Sequence, residues 1–546
     1  MSDANVMIFS VKAKLKQTIL KFKKNWQLTI LLMVLLFAAF FRLYNLKGTL
    51  QFQGDQGRDA MIVADIFKKK DLVFIGPVTS VGNMYLGPIY YYFMLPFLMI
   101  SYPSPMGPVY AVALLGILTV FLTYKLGKEL IGRNAALIAS IFLTLSATAI
   151  TYTRFSWNPN PAPLIALLML YCSYKALKNP KYYIGLFICF SIIIQLHYLA
   201  TLAMISAGVI WLYDFGRRLK KTLKIKKKAK LSSRLIDNLK HILFPTYIGL
   251  MIFLLSLSPL VLFDIKHDYL NLRAFSNLLT KEENFIHSLQ GKLTEKITRT
   301  VKETEGRSLH ILFEYNVGKN RSLNRYLNVF VYLILLGLLI TRKKRKTSDG
   351  EAVLIVYLLI GILGTSLYQH TIFDHYIAYL FPITALIYGL VLNQLNKNIL
   401  GKILSLIFFI WFLNFNLQKM PLKTLGWTID DIKKTSDSIA KRVMPEEKYN
   451  IVLLSQSKDI DGQNYRYFLT TTDNPPVEIE QRGEVETLFI INEEKVNREA
   501  REAALGQKKT KKVTDLPIYE IVVFPNKEPV EIYQIENGPE ITVLRK

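Results

Sequence analysis

Long apolar runs separated by short polar segments dominate the chain up to Met420, where the pattern stops. Runs of spanning or near-spanning length begin near Trp26, Tyr85, Val109, Ala135, Leu164, Ile184, Tyr198, Ile242, Leu327, Ala352, Ile377 and Ile399. A helix needs about 20 apolar residues to cross a bilayer, so the pattern predicts a bundle of membrane-spanning helices. Between the first two runs, Ile62, Val63, Ile66 and Phe67 recur at helical spacing, which predicts an amphipathic helix lying on the membrane. Beyond Met420 short apolar stretches such as "NIVLL" and "ETLFII" alternate with charged turns, the pattern of a small α/β domain. The fold class predicted is therefore a polytopic α-helical membrane protein with a C-terminal soluble α/β domain. No internal repeat is visible, which weighs against an inverted-repeat transporter.

Composition agrees with a bilayer as solvent: of 546 residues, 51% are hydrophobic and 12% aromatic, and the mean hydropathy is +0.25. The formal charge of +27 does not point to nucleic acid, because its Lys and Arg fall in blocks between apolar runs, as cytoplasmic loops require. Three blocks set the sidedness: Lys12, Lys14, Lys16, Lys21, Lys23 and Lys24 before the first run, "GRRLKKTLKIKKKAK" from Gly216, and "RKKRK" from Arg342. All three fall on the cytoplasmic side if Tyr85–Ile100, which is short and carries Pro88 and Pro96, lies at the interface instead of spanning. About eleven spans result, with the N-terminus inside and the C-terminus outside. The expected organisation is a cytoplasmic basic N-terminus over 1–25, a transmembrane domain over 26–420 with a first outer loop at 45–108, and an extracytoplasmic domain over 421–546. The first apolar run lacks a cleavage site and reads as an anchor, and a bacterial inner membrane fits these features. Cys172 and Cys189 lie in different runs, so neither a disulfide framework nor a thiolate metal site is expected.

The outer segments collect the candidate chemistry. In "GDQGRDA", Gly54 to Ala60, Asp55 and Asp59 are four apart and share a helical face with Arg58 between them, while Gly54 and Gly57 permit close backbone approach. The plain alternative is a surface helix start with a local salt bridge. Arg154 in "TYTRFSWNPNP", His197 in "QLHYL", Lys266 and His267 in "DIKHDY", and His375 in "FDHYIA" sit at predicted outer ends of spans. Each could equally be an interfacial anchor. His370 and Asp374 are spaced four apart, but no further ligands of fixed spacing accompany them, so a divalent metal is not favoured as cofactor. Tyr90, Tyr91 and Tyr92 read as an interfacial belt.

An acid just after the first span, then the Pro-broken "YLGPIYYYFMLPF", then "LGKELIGRNAALIASIFLTLSATAITYTRFSWNP" resemble the GT-C superfamily of membrane glycosyltransferases, of the protein O-mannosyltransferase and lipid A aminoarabinose transferase type. The resemblance covers roughly Leu28 to Leu392. It implies an inverting transferase that takes a sugar from a polyprenyl-phosphate donor and passes it to a lipid, glycan or protein acceptor at the outer face, with membrane lipids and no nucleic acid as its other partners. Asp55 matches the family's catalytic acid and Asp59 is the available second acid; Arg58, Arg154, Asn158, His197, Lys266, His267 and His375 are the substrate-binding candidates. Two positions depart from the family: Gln56 follows Asp55 where Glu is common, and Asn158-Pro159 stands where the family has Asp-Pro. The rival class is a polytopic lipid or glycan transporter or flippase, which would place its charges mid-span.

Overall fold

In the computed structural model the described residues are 26–79, 84–224, 231–280, 329, 331–337, 348–366, 373–455, 459–493 and 513–546. The basic blocks before Trp26 and at Arg342–Lys346, most of the expected span from Leu327, His370, and the loop after Thr280 lie outside them. Among the described residues seven helices are long and apolar enough to cross a membrane: Trp26–Leu43, Met106–Leu130, Tyr198–Lys221, Leu239–Ser256, Asp349–Ser366, Asp374–Leu395 and Ile399–Leu417. The runs expected to span from Ala135, Leu164 and Ile184 form shorter apolar helices, Arg133–Leu145, Ala162–Ala176 and Tyr182–Leu196. The first of these breaks at Ser146, whose hydroxyl caps the next short helix by accepting from the Ala149 amide.

In chain order the elements used below are α1 (Trp26–Leu43), α2 (Gly54–Lys68), α3 (Ile89–Ser101), α4 (Met106–Leu130), α5 (Arg133–Leu145), α6 (Ala147–Thr151), α7 (Ala162–Ala176), α8 (Tyr182–Leu196), α9 (Leu202–Lys224), α10 (Leu231–Ser256), α11 (Ser258–Lys266), α12 (Leu270–Thr280), α13 (Ser348–Ser366), α14 (Phe381–Leu395) and α15 (Ile399–Leu417). The run at Tyr85 becomes α3, which is 13 residues long and contains Pro96. Small residues let the bundle close, as they do wherever lipid removes the hydrophobic drive between helices. A Cβ on Gly389 of α14 would meet the Ala135 carbonyl of α5 and lie 3.0 Å from the Ala139 Cβ. One turn along α5, Phe142 stacks on Tyr388 at 5.5 Å and meets Phe412 of α15 at 4.4 Å.

The tail carries α16 (Ile429–Ala440), α17 (Gln463–Leu469) and α18 (Tyr519–Val523) around four strands, β1 (Tyr449–Leu454), β2 (Thr487–Asn492), β3 (Pro529–Gln534) and β4 (Glu540–Arg545). The strand order is β1-β2-β4-β3; β1 and β2 run parallel, as the crossover through α17 requires, and the other pairs are antiparallel. Strand periodicity divides the sheet into two faces. Ile451, Leu453, Phe489 and Ile491 join the same core as the bundle and α17. Val452, Leu454, Leu488 and Ile490 pack instead with Ile521 and Phe524.

The tail does not hang free. The Leu425 amide donates to Gly48 O and the Ile429 amide to Leu50 O, Lys47 pairs with Asp430 at 2.8 Å, and Phe52 meets Tyr467 and Phe468 at 5.6 Å each. The closest contact is between helices: a Cβ on Gly57 of α2 would strike the Gln463 carbonyl and lie 2.6 Å from Asn464 Cα of α17.

Because α5 and α14 touch through Gly389, Gly389→Val should destabilise the bundle by about 1–3 kcal/mol through overpacking. Thermal unfolding in detergent checks this, and the transition should move to lower temperature with the tail sequence unchanged.

Candidate active site at the junction of bundle and tail

Helix α2 begins where the chain leaves the Phe52 contact, and Gln53 precedes its first turn with no side-chain cap of its own. Its register sets Asp55 and Asp59 on one face at different depths. Asp55 is half exposed, at 51% for its side chain, whereas Asp59 is buried at 1%. Arg58 bridges them: its Nη1 donates to Asp55 Oδ1 at 2.9 Å, and its Nε and Nη2 both donate to Asp59 Oδ1, at 3.0 and 2.8 Å. Tyr91 of α3 donates its hydroxyl to the same Asp59 oxygen at 3.2 Å. The second oxygen, Asp59 Oδ2, is buried and has no hydrogen-bond partner among the described residues. Burial pushes the Asp59 carboxyl up to about 6, against the lowering pull of Arg58.

The tyrosines expected to form an interfacial belt are part of this structure. Tyr90 and Tyr91 are both buried, and the Tyr90 hydroxyl bonds Ser156 Oγ at 2.7 Å. Ser156 adjoins Trp157, whose ring meets His375 at 4.4 Å. His375 in turn packs against Tyr376 at 4.4 Å and faces the His197 ring at 5.9 Å. The two histidines that the sequence placed in separate turns thus form a pair walled by aromatic rings, joined to the acids through two adjacent tyrosines. His197 Nδ1 is buried without a partner among the described residues, and burial lowers this imidazole to about 4, so it is neutral near pH 7.

The other sequence candidates have different settings. Arg154, a substrate-binding candidate, is buried, and its two terminal nitrogens bond the chain leaving α1. Nη1 donates to Phe41 O at 2.6 Å, and Nη2 donates to Tyr44 O and Thr49 Oγ1, each at 2.7 Å. Terminal carbonyls of a helix need donors, and a buried guanidinium supplies several at once. Asn158 similarly donates to Leu196 O at 2.7 Å, tying its turn to the end of α8. Both side chains thus tie turns of the chain to helix ends. Lys266 and His267 are exposed at the end of α11. His267 stacks on Phe263 at 4.1 Å, and Phe263 meets Tyr85 at 5.4 Å, so this turn borders the loop ahead of α3. Asp264 accepts the Asn271 and Leu272 amides at 2.6 and 3.2 Å, which starts α12.

Among the described residues, no group of three or more His, Cys, Asp or Glu side chains comes together to hold a metal ion. The cation that bridges Asp55 and Asp59 is the Arg58 guanidinium.

Sequence reasoning missed Tyr90, Tyr91, Ser156 and Trp157 as members of one network, and also Asp459 of the tail. The Asp459 carboxylate lies against Gly54, with Cγ 2.7 Å from where a Cβ would be. Only adjacency in "YYY" and "FSW" signals the first four, and nothing in the sequence signals Asp459.

Residues 86–231 match the family model described as dolichyl-phosphate-mannose-protein mannosyltransferase. ArnT from Cupriavidus metallidurans bound to undecaprenyl phosphate is similar at 11% identity, with 95% of this chain and 98% of that chain covered and a TM-score of 0.52. The apo state of the same protein matches at 11% identity over the same shares, with a TM-score of 0.50. The archaeal oligosaccharyltransferase AglB from Archaeoglobus fulgidus matches at 13% identity over 88% of this chain and 71% of that chain, with a TM-score of 0.48. No curated protein matches the sequence. The chain shares its fold with ArnT, and among its described residues it combines seven helices long and apolar enough to cross a membrane with a small C-terminal sheet.

Arg154→Ala removes charge-assisted bonds to three oxygens and should cost about 1.5–3 kcal/mol of stability for the principal contact alone. The check is thermal unfolding together with the apparent constant for a lipid-linked sugar donor. A positioning role lowers the unfolding temperature, whereas a phosphate-gripping role raises the donor constant in a normally stable protein.

Proposed function

We propose that the protein is an inverting glycosyltransferase that moves a sugar from a polyprenyl-phosphate donor to an acceptor at the outer face of a bacterial inner membrane. The observation that carries this reading is the pair of unlike carboxylates on α2, one open and one buried, joined by a single guanidinium at the junction of bundle and tail. The match of residues 86–231 to a mannosyltransferase family model supports it. So does the shared fold with a protein whose structure holds undecaprenyl phosphate.

The chemistry follows from exposure. An acceptor hydroxyl is a weak nucleophile and must lose its proton as its oxygen bonds the sugar's anomeric carbon. Asp55, half exposed, is the group placed to take that proton, and Arg58 Nη1 holds its Oδ1 at 2.9 Å. As the new bond forms, the bond from the anomeric carbon to the phosphate oxygen breaks, and the lipid phosphate leaves with the electron pair. Asp59 sits too deep to meet an acceptor. It holds Arg58 from behind, through Nε and Nη2, and is itself steadied by Tyr91. Lys266 and His267 at the rim are the groups we assign to the leaving phosphate, and the aromatic wall around His197 and His375 to the substrate side of the bundle. The acceptor class is a glycolipid, a glycan or a protein hydroxyl, and the tail belongs outside with the site.

Two measurements test this. Purified Asp55→Asn, assayed with lipid-linked sugars, should lose about 100- to 10,000-fold in turnover, the range typical of general-base assistance, while donor binding persists. Asp59→Asn should lose less, about tenfold, because its role is support; equal losses would favour a two-carboxylate mechanism, and full transfer by Asp55→Asn would remove Asp55 from catalysis. Sidedness is tested by single cysteines in a background without Cys172 and Cys189: an impermeant thiol reagent added outside should label the exposed Ser104→Cys and Asp473→Cys but not Thr222→Cys. Outside labelling at position 222 would overturn the topology.

A further inference from the structure

Arg42, near the end of α1, is only 1% exposed although it carries a full charge. Its Nη2 donates to Leu143 O at 3.2 Å and its Nη1 to Ala38 O at 3.5 Å, both neutral carbonyls at or beyond the long end of the normal range. Its Nε is buried with no hydrogen-bond partner among the described residues. The charge that acts on it is a second cation, Arg154, whose own Nε is likewise buried and unpartnered. Among the described residues no acid acts on either guanidinium. A buried charge without a counter-charge is strongly unfavourable, so an ionisable group inside a helical bundle calls for a partner.

A small cavity lies beside this guanidinium, lined by Arg42, Gly116 of α4, Leu143 of α5, Asn160, Leu164 of α7 and Phe381 of α14. Gly116 leaves room for it: a Cβ there would collide with Thr153 and lie 3.0 Å from Arg42 Nε. The cavity volume is about 20 Å³, enough for one or two water-sized bodies and too little for a phosphate. The other polar side chains at its wall have spent their donors. Thr119 donates to Leu115 O, Thr153 to Ile150 O, and Asn160 Nδ2 to Phe155 O. Arg42 Nε is therefore the donor left over, set among apolar walls, where a weakly hydrated ion of single charge loses least on leaving water. Asn160 Oδ1 is an unpartnered acceptor; a water would satisfy it and an anion would not, which makes water the rival occupant.

We propose that this cavity is a halide site, in which a chloride ion accepts from Arg42 Nε and supplies the counter-charge that Arg42 and Arg154 otherwise lack. The ion ties the end of α1 to α4, α5, α7 and α14, the helices whose residues line the cavity. It thereby stabilises the point from which the chain leaves α1 toward α2. The site belongs to the bundle and does not rest on the transferase reading.

The experiment uses the full-length protein in nanodiscs, as wild type and as Arg42→Met, which keeps most of the side chain and removes its charge. Thermal unfolding is followed from about 1 to about 300 mM chloride, with gluconate, too large for the cavity, holding the ionic strength constant so that screening does not change. The wild type should gain about 2–4 °C across the series and then saturate, as specific binding to the folded state requires. Bromide should substitute for chloride, and Arg42→Met should show no gain. A wild type indifferent to chloride overturns the proposal, and so does an equal gain in Arg42→Met, where the cavity has lost its cation. Should Arg42→Met fail to fold, crystals of the wild type grown in bromide decide. An anomalous peak in contact with Arg42 Nε, together with the chloride-dependent gain, supports the site. No peak there means a water in the cavity, and a peak without the gain means an adventitious ion only; either overturns the proposal. None of these readouts involves sugar transfer, so failure of the transferase reading leaves the result intact.

Discussion

The contact of two backbones at Gly57 governs the position of every charged group in the site. With no Cβ between them, α2 and α17 approach until the Gln463 carbonyl and Asn464 Cα fill the space a side chain would take. That closeness carries Phe52 under Tyr467 and Phe468, and it brings the Asp459 carboxylate to Gly54. Any larger residue would separate the tail from the helix that presents Asp55. The hydrophobic core runs without a break from the bundle through α17 to one face of the sheet, so the two parts are a single packed body in this region.

Around that contact the electrostatics are asymmetric. One guanidinium serves two acids, and the buried acid receives two of its three bonding nitrogens. Isolated burial of a carboxylate is costly, and the cost is seen in the raised Asp59 carboxyl and its unpartnered Oδ2. Arg58 and Tyr91 offset part of it. The outcome is a division of labour by depth, in which the deeper acid orients a cation and the shallower acid meets solvent. The same economy recurs at Arg154, whose donors gather Phe41, Tyr44 and Thr49. That clamp sets the direction in which the chain leaves α1 and so the place where α2 begins.

Much of this was legible from residue order. Apolar run lengths announced a helical membrane protein, because a span must bury a fixed thickness of apolar chain. The break at Met420 and the strand-period pattern after it announced the α/β tail, and β1, β2 and α17 fall inside it. The segment at Tyr85 forms the 13-residue α3, with Pro88 before its first residue and Pro96 within it. Asp55, Arg58 and Asp59 were legible as a group because helical spacing of three and four places neighbours on one face.

The sequence by itself determined which solvent the chain occupies, which stretches are helix or strand, and that three charged residues of α2 meet, since all of these depend on local period and composition. Only the tertiary structure decided that Asp59 is buried while Asp55 is open, because depth depends on α3 and the tail packing over the same helix. It alone turned Tyr90 and Tyr91 from a surface belt into links to Ser156 and Asp59, and it alone paired His197 with His375, 178 positions apart in the chain. It also set Arg154 on the carbonyls after α1 and Asp459 on Gly54. These are contacts between residues far apart in sequence, and no local pattern encodes them: each is fixed by where packed helices place their ends.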